Sequence, residues 1–343
     1  MPVIEYKCPG CGSGMVFDSE TGMLSCHSCG RKDSIEDNPD PLTKQIFVES
    51  EAKEYHCQSC GAVIMTEEET TATVCSFCGS AVVLGDRLTG KLAPATVIPF
   101  SISKEEAMKA FKKWCRKGRL TPSGFMTADR VKGITGMYVP FWLYELHNGI
   151  EVQGLGTKVR TYREGDYICT ETQHFDVYRK LQVNYTRVPI DAAEKMNDEL
   201  MDKLEPFPYD QLQSFKTPYL AGYIAEKYSY SDEELLPRAK DKISKFIESY
   251  IQSTVAGYAT VNFAHKQIDT RFVHADYALL PVWVVHYDYN KLEHTFAMNG
   301  QTGKVVGKPP ISKAKVAVWF ASLSGVSFLS LKLVSWMMGG GFW

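Results

Sequence analysis

Eight of the ten cysteines form two copies of one pattern, and their spacing is that of metal ligands. Each copy reads C-x2-C, fourteen residues, C-x2-C, and the second copy lies 49 positions after the first. Two thiolates two residues apart can hold one ion from a tight turn, and two such turns complete a tetrahedral site. The predicted ligands are Cys8, Cys11, Cys26 and Cys29 in one site, and Cys57, Cys60, Cys75 and Cys78 in the other.

The pattern predicts two tandem zinc ribbons with one structural ion each, because a closed four-ligand site leaves no position for water or substrate. Iron is an alternative ion for all-thiolate tetrahedral sites, and disulfides are an alternative use of the cysteines. Neither ribbon is large enough to bury a core. Metal binding, worth roughly 10–16 kcal/mol in small zinc peptides, is therefore expected to supply most of its folding free energy. A glycine follows each turn, at Gly12, Gly30, Gly61 and Gly79.

Charge is distributed unevenly along the chain. Residues 1–90 carry six Lys/Arg and fourteen Asp/Glu, a net charge of −8, and the remaining 32 basic and 26 acidic residues give +6. Each zinc–tetrathiolate centre would add −2 to the N-terminal part. Nucleic-acid binding depends on cations that neutralise phosphates, so the acidic ribbons are not expected to bind nucleic acid.

The C-terminal segment is apolar. From Val316 to Met338 there are 23 residues with one charge, Lys332. A helix of this length rises about 35 Å, enough to cross a hydrocarbon layer of about 30 Å. The sequence therefore predicts a single transmembrane helix at residues 316–338. Aromatic residues suited to the membrane interfaces stand near its ends, at Trp319, Trp336, Phe342 and Trp343.

Four lysines precede this segment and none follows it, so the positive-inside rule places the bulk of the chain in the cytoplasm. The four are Lys304, Lys308, Lys313 and Lys315. Small residues recur at every fourth position, Ala317, Ala321 and Gly325, and allow close helix packing in lipid. This spacing suggests self-association or a membrane-protein partner. A buried helix, or an amphipathic helix lying on the membrane, is the alternative.

Between the ribbons and this segment, the patterns predict an α+β body of mostly antiparallel strands. A capping box at Ser103 and Glu106 begins one helix. Asn148-Gly149 is predicted to be a hairpin turn, with a further turn at residues 164–166. Asp191 with Glu194 is predicted to cap a helix ending at Leu204, and a long helix is predicted from Leu236-Pro237 to Ser253.

Two segments with a Pro-x-Trp motif resemble each other, residues 138–149 (YVPFWLYELHNG) and residues 279–290 (LLPVWVVHYDYN). They suggest a duplicated module, although two unrelated strands could share the tripeptide.

Catalytic motifs are lacking in the sequence: it has no phosphate loop, no H-E-x-x-H and no G-x-S-x-G. We identify no catalytic residue and expect no enzymatic activity, although a site assembled in space within the body is an alternative. His27 and His56 could serve as spare metal ligands. A cluster of His265, His274, His286 and His294 is a further alternative.

The whole chain resembles a family of bacterial membrane proteins described as TFIIB-type zinc ribbon-containing, and most closely its YdjG-like members in bacilli. The resemblance rests on the paired ribbons and on the segments CSFCGSAVVLGDRLTGKLAPATVIPF, YVPFW, YLAGYIAEKY, LLPVW and FAMNGQTGKVVGKPP. It implies zinc at the eight cysteines, a C-terminal membrane anchor and association with membrane-stress proteins of the phage-shock type. It supplies no activity and no catalytic residue.

These expectations combine into one arrangement. Zinc ribbon 1 covers residues 1–33 and is followed by an acidic linker at residues 34–54. Zinc ribbon 2 covers residues 55–90, the body covers residues 91–312, and the transmembrane helix covers residues 316–338. The expected function is that of a single-pass adaptor in the cell membrane, which recruits or scaffolds a partner protein; a role in the response to membrane stress is a further expectation. The alternatives are a membrane-tethered nucleic-acid-binding protein and an enzyme with a site in the body.

Overall fold

The computed structural model describes residues 3–38, 55–61, 63–64, 70–75, 78, 80–84, 94–116, 118, 120–122, 125, 131–289 and 292–337. Most of the predicted linker, Gly79, Met338, Phe342 and Trp343 lie outside these residues. Within them the chain is an α+β protein of mostly antiparallel strands, as predicted. The described helices are α1 (Lys104–Arg116), α2 (Asp198–Leu204), α3 (Asp232–Ser253) and α4 (Lys313–Met337), with 3₁₀ turns at Tyr209–Gln211 and Thr217–Leu220.

The described strands belong to one large sheet and two small ones. In chain order they are β1 (Val3–Ile4), β2 (Val16–Asp18), β3 (Met23–Ser25), β4 (Lys32–Asp33), β5 (Tyr55–His56), β6 (Val63–Ile64), β7 (Thr70–Val74), β8 (Ala81–Leu84), β9 (Thr96–Val97), β10 (Val131–Glu164), β11 (Tyr167–Asp191), β12 (Gln213–Ser214), β13 (Ile224–Glu226), β14 (Thr260–Tyr289), β15 (Leu292–Asn299) and β16 (Val305–Val306).

The long strand β10 forms the centre of the large sheet and pairs antiparallel with both β11 and β14. Successive side chains of a strand point to opposite faces, and the run YVPFWLY is apolar on both. Its even-numbered residues Tyr138, Trp142 and Tyr144 share a core with α1 and α3. Its odd-numbered residues Val139, Phe141 and Leu143 share a second core with α2. This part of the sheet is therefore covered on both faces, whereas the far ends of the three strands are mostly exposed.

The predicted hairpin turn at Asn148-Gly149 is wrong, because β10 continues through both residues. Asn148 is buried; its side-chain amide donates to the Val183 carbonyl at 3.1 Å, and its side-chain oxygen accepts from the Thr270 hydroxyl at 2.7 Å. Hydrogen bonds to the strands on both sides satisfy this side chain in an extended backbone. The chain turns instead at Gly165, which has φ of 59°, and this confirms the turn predicted at residues 164–166.

The helix starts follow local capping chemistry. The box at Ser103 and Glu106 is present at the start of α1, as predicted. Helix α3 ends at Ser253, as predicted, but begins four residues earlier than Leu236, because Ser231 and Glu234 form a second capping box.

The predicted cap at Asp191 and Glu194 is wrong. Asp191 is the last residue of β11, and its carboxylate is bound by Arg238 at 2.8 Å. Helix α2 begins at Asp198, after an N-cap Asn197 whose side chain accepts from the Leu200 N–H at 3.0 Å. The Asp191 side chain therefore forms a long-range ion pair with Arg238 instead of the helix cap that the local pattern predicts.

The two Pro-x-Trp segments lie side by side in β10 and β14 and make reciprocal contacts. Tyr138 pairs with Pro281, and Pro140 pairs with Leu279. The short strands β13 and β9 extend the symmetry, since β13 runs parallel to β10 and β9 runs parallel to β14. Two copies of one β-α-β-β unit would make such contacts, and the duplication itself stays a prediction.

The tryptophans of the two motifs bind the helices in the same reciprocal manner. The Trp142 indole donates to the Tyr230 carbonyl at 2.9 Å, and the Trp283 indole donates to the Ile102 carbonyl at 3.1 Å. Each acceptor immediately precedes the capping serine of a helix, α3 for Trp142 and α1 for Trp283. The Trp142 indole therefore fixes the start of α3, which precedes the strand of the second motif, β14. The Trp283 indole fixes the start of α1, which precedes the strand of the first motif, β10.

We expect Trp142→Phe and Trp283→Phe to destabilise the protein by similar amounts. Each leaves one half-buried carbonyl without its donor, at a cost of about 1–3 kcal/mol. Urea unfolding measures the loss. Tyr167→Phe, at a side chain that is 78% exposed, is the control and should leave stability unchanged. A loss of stability in one of the two variants, with none in the other, would contradict equivalent roles for Trp142 and Trp283.

Both ribbons are packed onto the body. In ribbon 1, the Phe17 N–H donates to the Ala221 carbonyl at 2.8 Å, and the Phe17 ring meets the Tyr219 ring edge-on at 5.4 Å. In ribbon 2, β7 pairs with β13, and β8 pairs with β1. The described cysteine turns are therefore held by the body and by the N-terminal strand.

Candidate metal centres

The four predicted ligands of each ribbon converge on one point. In the first set, the Sγ atoms of Cys8 and Cys29 lie 3.5 Å apart, as do those of Cys11 and Cys26. The ligand atoms of each set all lie within 4.8 Å of one another. A tetrahedron with metal–sulfur bonds of about 2.3 Å has edges of about 3.8 Å. The sulfurs therefore stand where one tetrahedral ion would hold them.

The second set has the same geometry. Its paired Sγ atoms lie 3.6 Å apart for Cys57 and Cys78, and 3.8 Å apart for Cys60 and Cys75. None of the ten cysteines of the chain forms a disulfide bond. Zinc and iron both accept four thiolates in this geometry. The donor sets could thus hold two metal ions, and their geometry does not distinguish the two elements.

The cysteines lie in tight turns that share one backbone conformation. The N–H of Gly12 donates to the Cys8 carbonyl at 2.8 Å, and the N–H of Gly30 donates to the Cys26 carbonyl at 2.9 Å. The two glycines have φ of 74° and 76°, a backbone conformation that costs glycine little. Gly61 repeats the arrangement in the second ribbon. Gly79 lies outside the described residues.

Burial alternates within each set. The first cysteine of every C-x2-C turn is buried, and the second is exposed. The buried sulfurs of Cys8 and Cys26 belong to the main core, whereas those of Cys57 and Cys75 belong to a small separate cluster with Tyr55, Val82 and Leu84. Each centre would therefore have one side against the protein and one side facing solvent.

Hydrogen bonds favour the thiolate form at one exposed cysteine in each set. The backbone N–H and then the hydroxyl of Ser13 lower the pKa of Cys11 to about 6. The hydroxyl and then the backbone N–H of Ser80 lower the pKa of Cys78 to about 6. A thiolate is the form that binds a metal ion.

Other thiols of the sets are hard to ionise beside these thiolates. Burial, with the neighbouring thiols of Cys78 and Cys60, raises the pKa of Cys57 to about 12. The Arg31 N–H lowers the pKa of Cys29, but the adjacent sulfurs of Cys8 and Cys11 raise it by more, so that the pKa of Cys29 is about 12. A bound divalent cation deprotonates a coordinating thiol and removes this conflict. The chemistry of the sets therefore suits a metal ion.

Glu5 supports the second site, and the sequence reasoning missed it. Its side chain is 2% exposed and forms an ion pair with Lys7 at 2.6 Å. Its carboxylate accepts from the Ser59 N–H at 3.1 Å and from the Cys57 thiol at 3.4 Å. No local signal could have found it, because Glu5 and Cys57 are 52 residues apart.

The histidines considered from the sequence lie elsewhere. His27 and His56 are exposed, and neither belongs to the two four-cysteine sets. His274 lies 3.7 Å from Glu145, whereas His294 packs against the Phe296 ring. Among the described residues, the cysteine sets are the groups of three or more ligand-type side chains that could share an ion. The His286 side chain is outside this description.

Helix α4 includes most of the predicted membrane segment. Residues Lys313–Ser335 are long and apolar enough to cross a membrane, and none of their most apolar stretch is buried. The large apolar side chains of α4 from Val316 to Val334 are between 40% and 73% exposed. The helix begins three residues before Val316 and its described part ends at Met337.

Comparison with known proteins finds a relative of nearly the same length. The chain is 65% identical over 340 residues to the uncharacterized protein YdjG of Bacillus subtilis (strain 168), a match that covers 99% of this chain and 100% of the relative. No family model matches the chain, and no solved structure matches it. The name of this relative assigns no activity, metal or partner.

Proposed function

The chain belongs to the YdjG family, and from that premise we propose that it is a membrane-anchored adaptor, which holds a partner protein at the cytoplasmic face of the cell membrane. The observation that carries the proposal is the uncovered apolar surface of α4. An apolar helix of this length is stable when lipid surrounds it. The lysines before α4 favour a cytoplasmic location for the ribbons and the body.

In this proposal each four-cysteine set holds one structural zinc ion, and the two domains are ribbons of the TFIIB type. The support is the all-thiolate donor set and the sulfur–sulfur spacing of 3.5–3.8 Å. The chain's own residues contribute the buried anchor cysteines and the serine hydrogen bonds that favour thiolates. The ions fold and stiffen the ribbons and take no part in a reaction.

The partner would bind through the ribbons. Residues 1–90 carry a net charge of −8, and two zinc–tetrathiolate centres make that part more negative. A complementary partner surface is basic. The family resemblance suggests a protein of the phage-shock type. Ala317, Ala321 and Gly325 are exposed on α4 and would allow pairing with a second copy or another membrane protein.

We expect the protein to remain in the membrane fraction after an alkaline carbonate wash. Val326→Asp combined with Leu329→Asp should release it, because each carboxylate near the middle of a span costs about 2.5–3.5 kcal/mol. Immunoblotting of pellet and supernatant measures the result. Ile311→Asp lies before α4 and should stay in the pellet. Release of the unaltered protein would refute the anchor.

The adaptor role is tested by affinity isolation from solubilised membranes. The intact chain should retain a partner that the variant Cys57→Ser/Cys60→Ser loses. Cys169→Ser is the matched control, since Cys169 is half-exposed in β11 and belongs to neither cysteine set. A partner retained equally when either ribbon is disabled would transfer the binding role to the body and contradict docking through the ribbons.

A further inference from the structure

A row of four cations occupies one exposed face of α1. The residues Lys109, Lys112, Lys113 and Arg116 follow the spacing i, i+3, i+4, i+7, which places them on one stripe of a helix. All four are exposed. The opposite face buries Ala107, Phe111 and Cys115 against the sheet. The apolar face therefore fixes which way the cations point.

The four cations have no ion-pair partner within the part of the chain that the structure describes. The acidic residues of α1, Glu105 and Glu106, lie in its first turn. Arg116 is ten residues beyond Glu106, about 15 Å along the helix axis. Lys109 lies one turn from both carboxylates, whereas Lys112, Lys113 and Arg116 present positive charge with no acidic residue of α1 beside them.

The end of α1 is tied to the start of the apolar helix. The Ser312 N–H donates to the Leu120 carbonyl at 2.8 Å, and the Lys315 ammonium donates to the Thr121 carbonyl at 2.7 Å. Leu120 follows Arg116 by four residues, which can span at most about 14 Å. Helix α4 begins at Lys313, directly after Ser312. The basic row therefore lies close to the point where α4 leaves the body.

Apolar side chains stand at the same junction. Leu120 is 37% exposed and Ile311 is 66% exposed. A basic surface with exposed apolar residues beside it suits contact with lipid headgroups when it lies next to a membrane span. Such a surface next to a membrane span attracts anionic lipids.

We propose that the basic face of α1 binds anionic phospholipid headgroups and so holds the body against the bilayer. The inference rests on the proposed membrane anchor and deepens it by naming the lipid class and the surface that recognises it. The span holds the body at one place, the start of α4. The contact at α1 adds a second point of attachment to the bilayer and so sets which way the ribbons face in the cytoplasm.

Lysine footprinting of the full metal-loaded chain in lipid nanodiscs tests the proposal. The rate of acetylation at Lys109, Lys112 and Lys113, read by mass spectrometry, is compared between discs of phosphatidylcholine and discs that also contain phosphatidylglycerol. We expect the anionic discs to slow acetylation by about fivefold, the equivalent of roughly 1 kcal/mol per basic residue at such a surface. High salt should reverse the protection. Lys240 and Lys245, exposed on α3, are internal controls.

A pair of matched variants separates lipid binding from a general effect of charge. Lys112→Glu/Lys113→Glu should remove the protection of Lys109, whereas Lys240→Glu/Lys245→Glu should keep it. Acetylation that is equally fast in both kinds of disc, with the chain still inserted, overturns the α1 proposal and leaves the anchor standing. Acetylation that is equally slow in both kinds of disc indicates a protein contact and also overturns the α1 proposal. A chain that does not insert refutes the anchor and this inference together.

Discussion

Loss of either metal ion is expected to unfold the ribbon that binds it. With one ion bound to each set, as proposed, the ion should supply most of its ribbon's folding free energy, on the order of 10 kcal/mol by comparison with small zinc peptides. Cys26→Ser and Cys57→Ser should each reduce the bound metal from two ions to one per chain, measured by mass spectrometry of the purified protein. Cys169→Ser should keep both ions. Protein free of metal, or with oxidised cysteine pairs, would contradict the prediction.

Loss of the ion from the first site and loss of the ion from the second site should unfold different parts of the protein. The buried sulfurs of the first site, Cys8 and Cys26, lie in the main core with Phe17 and Leu24. Those of the second site lie in a separate small cluster. We therefore expect Cys26→Ser to increase amide exchange in the turn Thr217–Leu220, against which ribbon 1 packs. Cys57→Ser should increase exchange mainly in β7 and β8.

Arg238→Met is expected to destabilise the body by about 3–5 kcal/mol, because removal of one partner leaves a buried charge uncompensated. The Asp191 side chain is 1% exposed, and Arg238 is its partner at 2.8 Å. The second carboxylate oxygen of Asp191 has no hydrogen-bond partner. Urea unfolding with both metal sites loaded measures the loss. Lys245→Met, at an exposed position of the same helix, should leave stability nearly unchanged.

The same substitution should make stability more dependent on pH. Burial, only partly offset by Arg238, raises the pKa of Asp191 to about 6 from its ordinary value of 3.8. A carboxyl with a raised folded pKa binds its proton more tightly in the folded state, so its contribution to stability falls as pH rises from about 4 through 6. Without Arg238 the folded pKa rises further. The variant should therefore lose more stability at pH 8 than at pH 6.5.

A double variant distinguishes charge burial from packing. Asp191→Asn/Arg238→Met removes the buried charge and its partner together, and should recover a large part of the lost stability. It should also remove the additional pH dependence. A double variant as unstable and as pH-dependent as Arg238→Met would show that Asp191 is not the source of either effect.

Features specified by residues close together in the chain could be predicted from the sequence. The cysteine turns are such a feature, because two ligands and a glycine within five residues define one turn. The capping box at Ser103 and Glu106 and the turn at Gly165 follow for the same reason. The apolar length of α4 depends on composition alone.

Features that depend on partners far away in the chain could not be predicted from the sequence. Asn148-Gly149 has the composition of a hairpin turn, yet pairing with β11 and β14 on both sides holds it extended. The Asp191 carboxylate binds Arg238, 47 residues away, and does not cap a local helix. Glu5 reaches the second cysteine set from outside its motif. Local propensities are worth about 1 kcal/mol, and burial with several long-range hydrogen bonds exceeds them, so contacts of this kind are determined by the folded chain.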